Sequence, residues 1–428
     1  MLRSLFIDFN SYFASVEQQL NPALRGRPLG VLPVMAETSC CIAASVEAKT
    51  FGVKTGTGVA EARRLCPGIH FVLADHAKYV QVHQLAVAAV DRIAPVRQVL
   101  SIDEMECELT GRWRERERAM QLAKQVKVEV QRSVGECLRS SIGIAPNTLL
   151  AKLASDMHKP DGLTVIELHE LPQRLFHLKL SDIQGIGPRM RERLARCGID
   201  TLQALYAAPR DVLVTAWGGL AGSDMYDKLR GQWYGPRVTT AQSLGHSHVL
   251  PPELRTPEGA RQVLHRLTQK AAMRLRKQGF YATALQVFVR CAHRWQHEPG
   301  CERYTRLGET QDTAVLLNVL EQLWCSGLHR MQRPLMVGVQ LCGLVPASQH
   351  TPDLFEHALT ASPQDTGNTP TLQNHPNQRN RTRLLAAVDA LNRQHGKNTV
   401  YFGSAHHALD TAPMRIAFNR IPDIDTEA

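Results

Sequence analysis

The chain has 428 residues, of which 43% are hydrophobic and 21% charged, a composition typical of a soluble protein with several domains. No apolar run approaches the roughly 20 residues needed to cross a bilayer, and the N-terminus is too polar for a secretory signal. The ten cysteines include no CxxC pair, which disfavours a zinc ribbon or a disulfide framework. The net charge of +10 favours a polyanionic partner. We expect a cytoplasmic protein without a membrane partner.

The first part of the chain alternates between strand and helix patterns. Short apolar or alternating runs predict strands at 2–9, 28–34, 96–102, 105–109 and 140–145. Helical spacing, with breaks at two glycines in the first segment, predicts helices within 45–66, 80–93, 113–134 and 146–157. Asp8 and the Asp103-Glu104 pair stand at strand ends. Strands separated by helices, with acids at their ends, predict an α+β domain with an open, charged sheet face.

The second part of the chain contains four segments with different sequence patterns. Residues 166–235 read as short helices with short loops. Residues 241–345 contain thirteen Lys or Arg against seven Asp or Glu and predict two helices and two strands, at 261–277, 281–290, 312–329 and 335–345. Residues 346–380 are polar with little hydrophobic content, which predicts a disordered linker. A last helix is predicted at 381–394.

Three carboxylates have the character needed for phosphoryl transfer. That chemistry uses paired divalent ions, and Mg²⁺ prefers carboxylate oxygens supplied by two or three side chains. Asp8, Asp103 and Glu104 could supply them if their strands lie side by side. Taken alone, each is also an ordinary polar strand end, so both interpretations stay open at this point.

Four sequence blocks, in order, carry a family resemblance. They are Ile7–Glu17 (IDFNSYFASVE), Glu47–Lys54 (EAKTFGVK), Ser101–Glu104 (SIDE), and Ser141–Ala145 (SIGIA) followed by Ala151–Pro160 (AKLASDMHKP). With these blocks, residues 1–345 resemble the Y-family DNA polymerases, the DinB/UmuC group. The second block, with Val46 and Lys49 where DinB-type members typically have Tyr and Arg, is closer to the UmuC-like branch.

The resemblance implies an α+β right-hand polymerase that performs error-prone translesion DNA synthesis without proofreading. It implies a palm with a mixed sheet (1–10 and 75–165), small fingers (11–74), a helical thumb with a helix-hairpin-helix (166–235) and an α/β little finger (241–345). A linker (346–380) and a C-terminal tail (381–428) follow. Primer–template DNA and deoxynucleoside triphosphates are the implied partners.

The resemblance also assigns roles to individual residues. Two Mg²⁺ ions, with Mn²⁺ as a possible substitute, are expected on the catalytic carboxylates and one main-chain carbonyl, which belong to Asp8, Asp103, Glu104 and Phe9. Phe13 falls on the steric gate, whose ring leaves no room for a ribose 2′-hydroxyl; its neighbour Tyr12 is the alternative. Lys49 and Lys159 fall on positions that contact the triphosphate.

DNA contacts are expected from two further segments. Gly185 and Gly187 belong to a helix-hairpin-helix pattern, in which glycines let main-chain N–H groups approach a phosphate. In the little finger, a cationic helix could follow the phosphate backbone with the side chains of Arg261, Arg266, Lys270, Arg274 and Lys277.

Partner proteins are the last implication of the resemblance. Leu354 and Phe355 resemble a short peptide that docks on a sliding clamp, and a UmuD-like subunit and a recombinase filament are further expected partners.

Two alternatives remain open on sequence grounds. One is a non-catalytic member that bridges the clamp and another polymerase, and the other is a nucleotide cyclase, which shares the palm.

Overall fold

The computed structural model describes residues 1–235, 240–291, 300–351, 375–396, 399–409, 416, 421 and 422. Contacts divide the chain into two compact units, of which unit 1 is Met1–Arg237 with Ile416–Pro422 and unit 2 is Val238–Arg415 with Asp423–Ala428. No helix within these described ranges is long and apolar enough to pass through a membrane.

Unit 1 contains a central sheet, a small sheet and the helices around them. Its strands are β1 (Ser4–Phe9), β2 (Leu29–Leu32), β3 (Ala43–Ala44), β4 (His70–Leu73), β5 (Val96–Val99), β6 (Glu104–Glu108), β7 (Ser140–Ala145) and β8 (Leu163–Val165). Its helices are α1 (Tyr12–Leu20), α2 (Val46–Thr50), α3 (Val59–Leu65), α4 (His76–Asp91), α5 (Arg116–Ser133), α6 (Thr148–Met157), α7 (Pro188–Arg196), α8 (Leu202–Ala207), α9 (Arg210–Trp217) and α10 (Leu220–Leu229).

The central sheet has the strand order β5-β6-β1-β7-β8. β1 runs antiparallel to both β6 and β7, whereas β7 and β8 are parallel. β1 lies in the middle of this sheet and is buried along its whole length, as is β7. Burial on both sides explains why these two strands are apolar or small-residue runs that the sequence could predict.

A glycine sets the distance between α6 and this sheet. A Cβ atom on Gly143 of β7 would lie 1.9 Å from the carbonyl oxygen of Ala151 in α6. A contact that short is forbidden, so only glycine permits this packing. Asn147 caps α6 by accepting a hydrogen bond from the Leu150 N–H at 3.0 Å. Together the two features hold α6 directly over β1 and β7.

The remaining parts of unit 1 are a small sheet and a helical region. The small sheet has the order β3-β2-β4, and β4 is a strand that the sequence reading missed. The predicted helical segment 45–66 is divided into α2 and α3, because Gly52 and Gly56 between them adopt φ values of 87° and 90°. Helices α7 to α10 share a buried core with α6, so residues 166–235 are helical as predicted.

Unit 2 contains a second antiparallel sheet packed on two long helices. Its strands are β9 (Ser243–Val249), β10 (Phe280–Cys291), β11 (Cys301–Thr310), β12 (Pro334–Cys342) and β13 (Val345–Pro346), and its helices are α11 (Pro257–Lys277), α12 (Thr313–Cys325) and α13 (His375–His395). The main sheet has the order β11-β10-β12-β9, with β13 paired to β10. Its apolar face and the two helices α11 and α12 form one core. The sequence reading missed β9 and β11.

The first part of the C-terminal tail, through residue 409, belongs to unit 2. A 3₁₀ turn at Gly403–Ala408 packs on α11, and Ala405 and Ala408 are fully buried. The Gln269 amide of α11 donates to the Phe402 carbonyl at 3.3 Å and accepts from the Phe402 N–H at 3.2 Å. The predicted linker 346–380 is too long at both ends, because β13 with its following turn reaches Gln349 and α13 begins at His375.

Candidate active site

Adjacent strands bring the three predicted carboxylates together. Asp8 in β1 lies directly opposite Glu104 in β6, so the two side chains project from the same face of the sheet. The Phe9 N–H donates to the Asp103 carbonyl at 2.9 Å, which fixes Asp103 beside the end of β1. Asp8 is 5% exposed. Asp8 therefore lies close to Asp103 and Glu104 and does not point into solvent.

Two lysines contact these carboxylates from α6 and the loop that follows it. The Lys152 ammonium lies 2.5 Å from Asp8 and 2.9 Å from Glu104, and also 3.2 Å from Asp156. The Lys159 ammonium lies 2.6 Å from Asp8 and 2.8 Å from Asp156. One ammonium nitrogen thus bridges carboxylates from two different strands.

Burial and like charges determine the protonation of this cluster. Burial, together with the nearby carboxylates of Asp8 and Glu104, raises the pKa of Asp103, although the Ser101 hydroxyl partly offsets this by donating to it at 2.6 Å. Burial alone would lower the pKa of Lys152, but the carboxylates around it raise that pKa above the ordinary lysine value. Lys152 is therefore a firmly charged counterion at neutral pH.

The donor set fits hard cations in chemistry and in charge. Carboxylate oxygens of Asp8 and Glu104 converge on a single cationic atom, the Lys152 nitrogen, which shows that this point of the sheet accommodates positive charge. Across the described residues, no group of three or more acidic, histidine or cysteine side chains is already arranged as a metal cage. The carboxylates form ion pairs with lysines instead, so a divalent ion must compete with Lys152 and Lys159.

A second layer of hydrogen bonds positions the site. Asn10 accepts from the Asp161 N–H at 2.7 Å and donates to the Ser141 hydroxyl at 3.1 Å, which ties the loop carrying Lys159 to β7. Glu106, two residues after Glu104, accepts from Ser4 at 2.6 Å. It also accepts at 2.8 Å from Thr148, the first residue of α6.

The two candidate steric-gate residues have different surroundings. Tyr12 is buried and its hydroxyl donates to the Tyr79 carbonyl at 2.8 Å. Burial and the nearby Asp103 raise the pKa of Tyr12. Phe13 is only half-buried, and one face of its ring stacks on Tyr79 with centroids 4.5 Å apart, while His76 meets it edge-on. Phe13, unlike Tyr12, therefore keeps accessible ring surface.

Lys49 lies near the carboxylate cluster, as predicted for a triphosphate contact. Burial lowers the pKa of Lys49, and the charge of Lys159 lowers it further, whereas Asp8 and Asp103 raise it. These mutual influences place α2, the loop after α6 and the end of β1 around one charged region. Val46, on the same helix, is half-buried and contributes no polar group.

The helix-hairpin-helix glycines lie at the surface of unit 1. Gly185 adopts φ 93° in the turn before α7, and Gly187 is the residue before its first turn. Both are exposed, and a Cβ atom on either would meet nothing within 4 Å. The main chain at the start of α7 is therefore accessible, which the predicted phosphate contact requires.

The cationic helix of unit 2 does not present one exposed row. Arg261 is paired with Glu321 at 2.9 Å. Arg266 is 6% exposed and lines a cavity with Lys270 and Arg274, opposite the tail. Arg266 is therefore buried beside the tail, and its expected contact with a DNA backbone stays a prediction. Leu354 and Phe355 lie outside the described residues.

The sequence reading gave no role to Lys152 or Asp156. Their spacing of four residues on a helix is typical of a solvent-exposed ion pair, and nothing local distinguishes them from one. The signal that could have found Lys152 is Gly143, since a glycine in the middle of a buried strand indicates close approach of another main chain.

Known proteins share both the sequence and the fold of this chain. Two family models match, the "impB/mucB/samB family" over residues 7–156 and the "impB/mucB/samB family C-terminal domain" over residues 241–354. DNA polymerase IV of Moorella thermoacetica is 33% identical over 364 residues, which cover 82% of this chain and 88% of the relative. DNA polymerase IV of Pelotomaculum thermopropionicum is 30% identical, with coverage of 83% and 89%.

Two solved structures match over 81% of this chain and the whole of their own. One is a Y-family DNA polymerase chimera of Dbh and Dpo4, with a TM-score of 0.67 and 24% identity. The other is Dbh DNA polymerase in an insertion ternary complex, with a TM-score of 0.53 and 26% identity.

The fold and the carboxylate site thus define a right-hand polymerase of mixed α and β structure. The chain belongs to the impB/mucB/samB family, the Y-family of DNA-directed DNA polymerases. Both the fold and the family predicted from the sequence are confirmed, whereas membership of the UmuC-like branch stays a prediction.

Proposed function

We propose that this protein is a template-directed DNA polymerase that copies damaged DNA by two-metal nucleotidyl transfer, error-prone and without proofreading. The observation that carries the proposal is the cross-strand pairing of Asp8 with Glu104, next to Asp103, in a buried region of the sheet. Family membership supplies the reaction type, and the pairing supports this location for it in the chain. Primer–template DNA and deoxynucleoside triphosphates are the proposed substrates.

The metal-binding residues in this proposal are Asp8, Asp103, Glu104 and the main-chain carbonyl of Phe9. Two Mg²⁺ ions, or Mn²⁺ in their place, would activate the primer 3′-hydroxyl and neutralise the charge of the leaving pyrophosphate. Burial and neighbouring carboxylates raise the pKa of Asp103, so a nearby divalent charge would stabilise its ionised form. This electrostatic need is an argument for metal binding that does not depend on the family.

Lys49 and Lys159 are the proposed contacts to the triphosphate. Each carries its charge close to the carboxylates, and Lys159 already contacts Asp8 and Asp156. When a triphosphate binds together with its cations, the carboxylates can release the lysines and bind the cations. The lysine ammonium groups can then bind phosphate oxygens. Lysine makes point-charge contacts here, without the bidentate fork that arginine would offer.

Phe13 is the proposed steric gate. Its ring is held by stacking on Tyr79, and the side chain is only half-buried, so part of the ring remains accessible. A rigidly held ring excludes a ribose 2′-hydroxyl better than a mobile one. The hydroxyl of Tyr12 is already engaged inside the protein, which favours Phe13 over its neighbour.

DNA would be bound by the accessible main chain at Gly185 and Gly187 and by exposed cations of unit 2. We further propose clamp docking at Leu354–Phe355, and association with a UmuD-like subunit and a recombinase filament in the cytoplasm during the DNA damage response. These partner proposals derive from the family resemblance alone.

Primer extension on an undamaged and an abasic template tests the catalytic proposal. We expect Asp103→Asn and Glu104→Gln to abolish extension, while Glu117→Gln, which removes an exposed carboxylate on α5, extends normally. Extension should require Mg²⁺ or Mn²⁺ and stop with a chelator. If the wild type and Asp103→Asn are equally inactive with the clamp and activating partners present, the non-catalytic bridging function replaces this proposal.

A further inference from the structure

Unit 2 contains a cavity of about 450 Å³ between α11 and the C-terminal tail. One wall is the side of α11 that carries Arg266, Lys270 and Arg274, and the opposite wall comes from α13 and residues 400–402. The reciprocal hydrogen bonds between Gln269 and the Phe402 main chain hold the two walls together. This size lies within the range of small-molecule sites, roughly 300–1,000 Å³.

The lining of the cavity is strongly cationic. Six of its side chains carry positive charge, namely those of Arg266, Lys270, Arg274, Arg276, Lys277 and Arg393. Asp389 is the one carboxylate in the described lining, and it is held by Arg276 through contacts of 2.7 and 2.9 Å. The described lining is therefore rich in cationic side chains, and its one carboxylate is already engaged by Arg276.

Arg266 is the feature that points to a ligand. It is 6% exposed, yet none of the described residues accepts a hydrogen bond from its Nε. Burial lowers the pKa of its guanidinium to about 10, with no carboxylate nearby to oppose the effect. Buried charges in native proteins are almost always paired, because an uncompensated buried charge is strongly destabilising. An anion in the cavity would supply the missing partner.

We propose that this cavity binds a phosphate group, free or carried by a molecule of nucleotide size, with Arg266 as its central contact. The planar guanidinium matches the geometry of phosphate oxygens. Apolar side chains of Leu385, Val400 and Phe402 line the same space and would accept the organic part of a nucleotide. The site lies within unit 2 and does not depend on the proposed polymerase activity.

Calorimetric titration of the full-length chain, in chelator, with inorganic phosphate and with a deoxynucleoside monophosphate tests the proposal. We expect Arg266→Met to weaken binding by about tenfold to a hundredfold, as for loss of a hydrogen bond to a charged group. Lys270→Gln, a half-exposed position that tolerates change, should weaken it less. Arg330→Met removes an exposed arginine outside the cavity and should bind like the wild type.

Thermal unfolding gives a second readout. Without phosphate, Arg266→Met should melt at the same or a higher temperature than the wild type, since it removes an unpaired buried charge. With phosphate, the melting temperature of the wild type should rise and that of the variant should not. This reversal distinguishes loss of a ligand site from general damage to the fold.

Three results would overturn the proposal. The wild type could fail to bind either probe, or Arg266→Met could bind both as tightly as the wild type. Alternatively, a chain truncated after Pro422 could bind phosphate when the full chain does not, which would identify the acidic C-terminal residues as the occupant. Tighter binding of the monophosphate than of inorganic phosphate would support a nucleotide ligand, and equal binding would support the phosphate group alone.

Discussion

Replacement of Lys152 by methionine tests the electrostatic account of the active site. The substitution removes the ammonium that contacts Asp8, Glu104 and Asp156 while keeping an apolar stem of similar length. It leaves carboxylates facing each other across two strands with less positive charge between them. We expect the variant to fold, to be less stable in chelator, and to recover part of its stability when Mg²⁺ is added.

The structure sets the size of this loss. The Lys152 side chain is 14% exposed and that of Asp8 is 7% exposed, so solvent screens the pair weakly. Removing one partner of a buried ion pair costs about 3–5 kcal/mol. Asp8 retains Lys159 as a second cation, so we expect a loss of about 2–3 kcal/mol, at or just below the lower limit of that range.

The sign of the pH dependence follows from the raised pKa of Lys152. A lysine whose pKa is higher in the folded state contributes its full stability below its ordinary pKa, and that contribution is lost only as the pH rises through the folded value. A comparison at pH 7.5 therefore measures the whole effect.

Urea unfolding of the wild type and Lys152→Met, with chelator and with Mg²⁺, measures the difference. Lys124→Met, at an exposed position on α5, controls for the loss of a charge and should change stability little. A deficit in chelator that is no larger than that of the control would refute the ion-pair argument. A deficit that Mg²⁺ leaves unchanged would refute the idea that divalent ions replace the ammonium.

Three further predictions concern single functions. Asp103→Asn should be more stable than the wild type at pH 7.5 in chelator, because folding raises the pKa of Asp103 and so disfavours its charged form. In urea titrations below about pH 3.9, this advantage should vanish, because the Asp103 carboxyl is then neutral in both the folded and the unfolded chain, like the Asn side chain. Phe13→Ala should increase ribonucleotide incorporation by about tenfold or more, with Tyr12→Phe as an unchanged control, and an unaltered ratio would remove the gate assignment. Deletion of Leu354 and Phe355 should abolish clamp capture in a pull-down, and undiminished capture would remove that motif.

Much of unit 1 could be predicted because its strands are buried on both faces. β1 and β7 are apolar or small-residue runs, and the acids stand where those runs meet neighbouring strands. By contrast, β11 (CERYTRLGET) is rich in polar and charged residues and exposes alternate side chains, so its pattern lacked the apolar signal of a strand. Local sequence patterns predict those elements whose burial is reflected in the hydrophobicity of their own residues.

Contacts between distant segments could not be predicted in this way. Lys152 becomes a site residue only because α6 lies against β1, and the Lys152–Asp156 spacing alone is equally typical of a solvent-exposed helix. Arg266 was expected at the surface because a run of charged residues on a helix usually lies in solvent. The tail that covers it is separated in sequence by more than a hundred residues, and no periodicity within α11 indicates it.

The docking of the tail also changes what residues 352–374 can do. The chain enters that segment from a fixed point, where His350 stacks on Tyr281 and pairs with Glu309 at 2.6 Å, and it leaves into α13, which is anchored to α11 through Asp389. Phe355 is four residues from Thr351, a reach of about 14 Å at most. If a partner binds at Leu354–Phe355 as proposed, it would therefore be held close to unit 2.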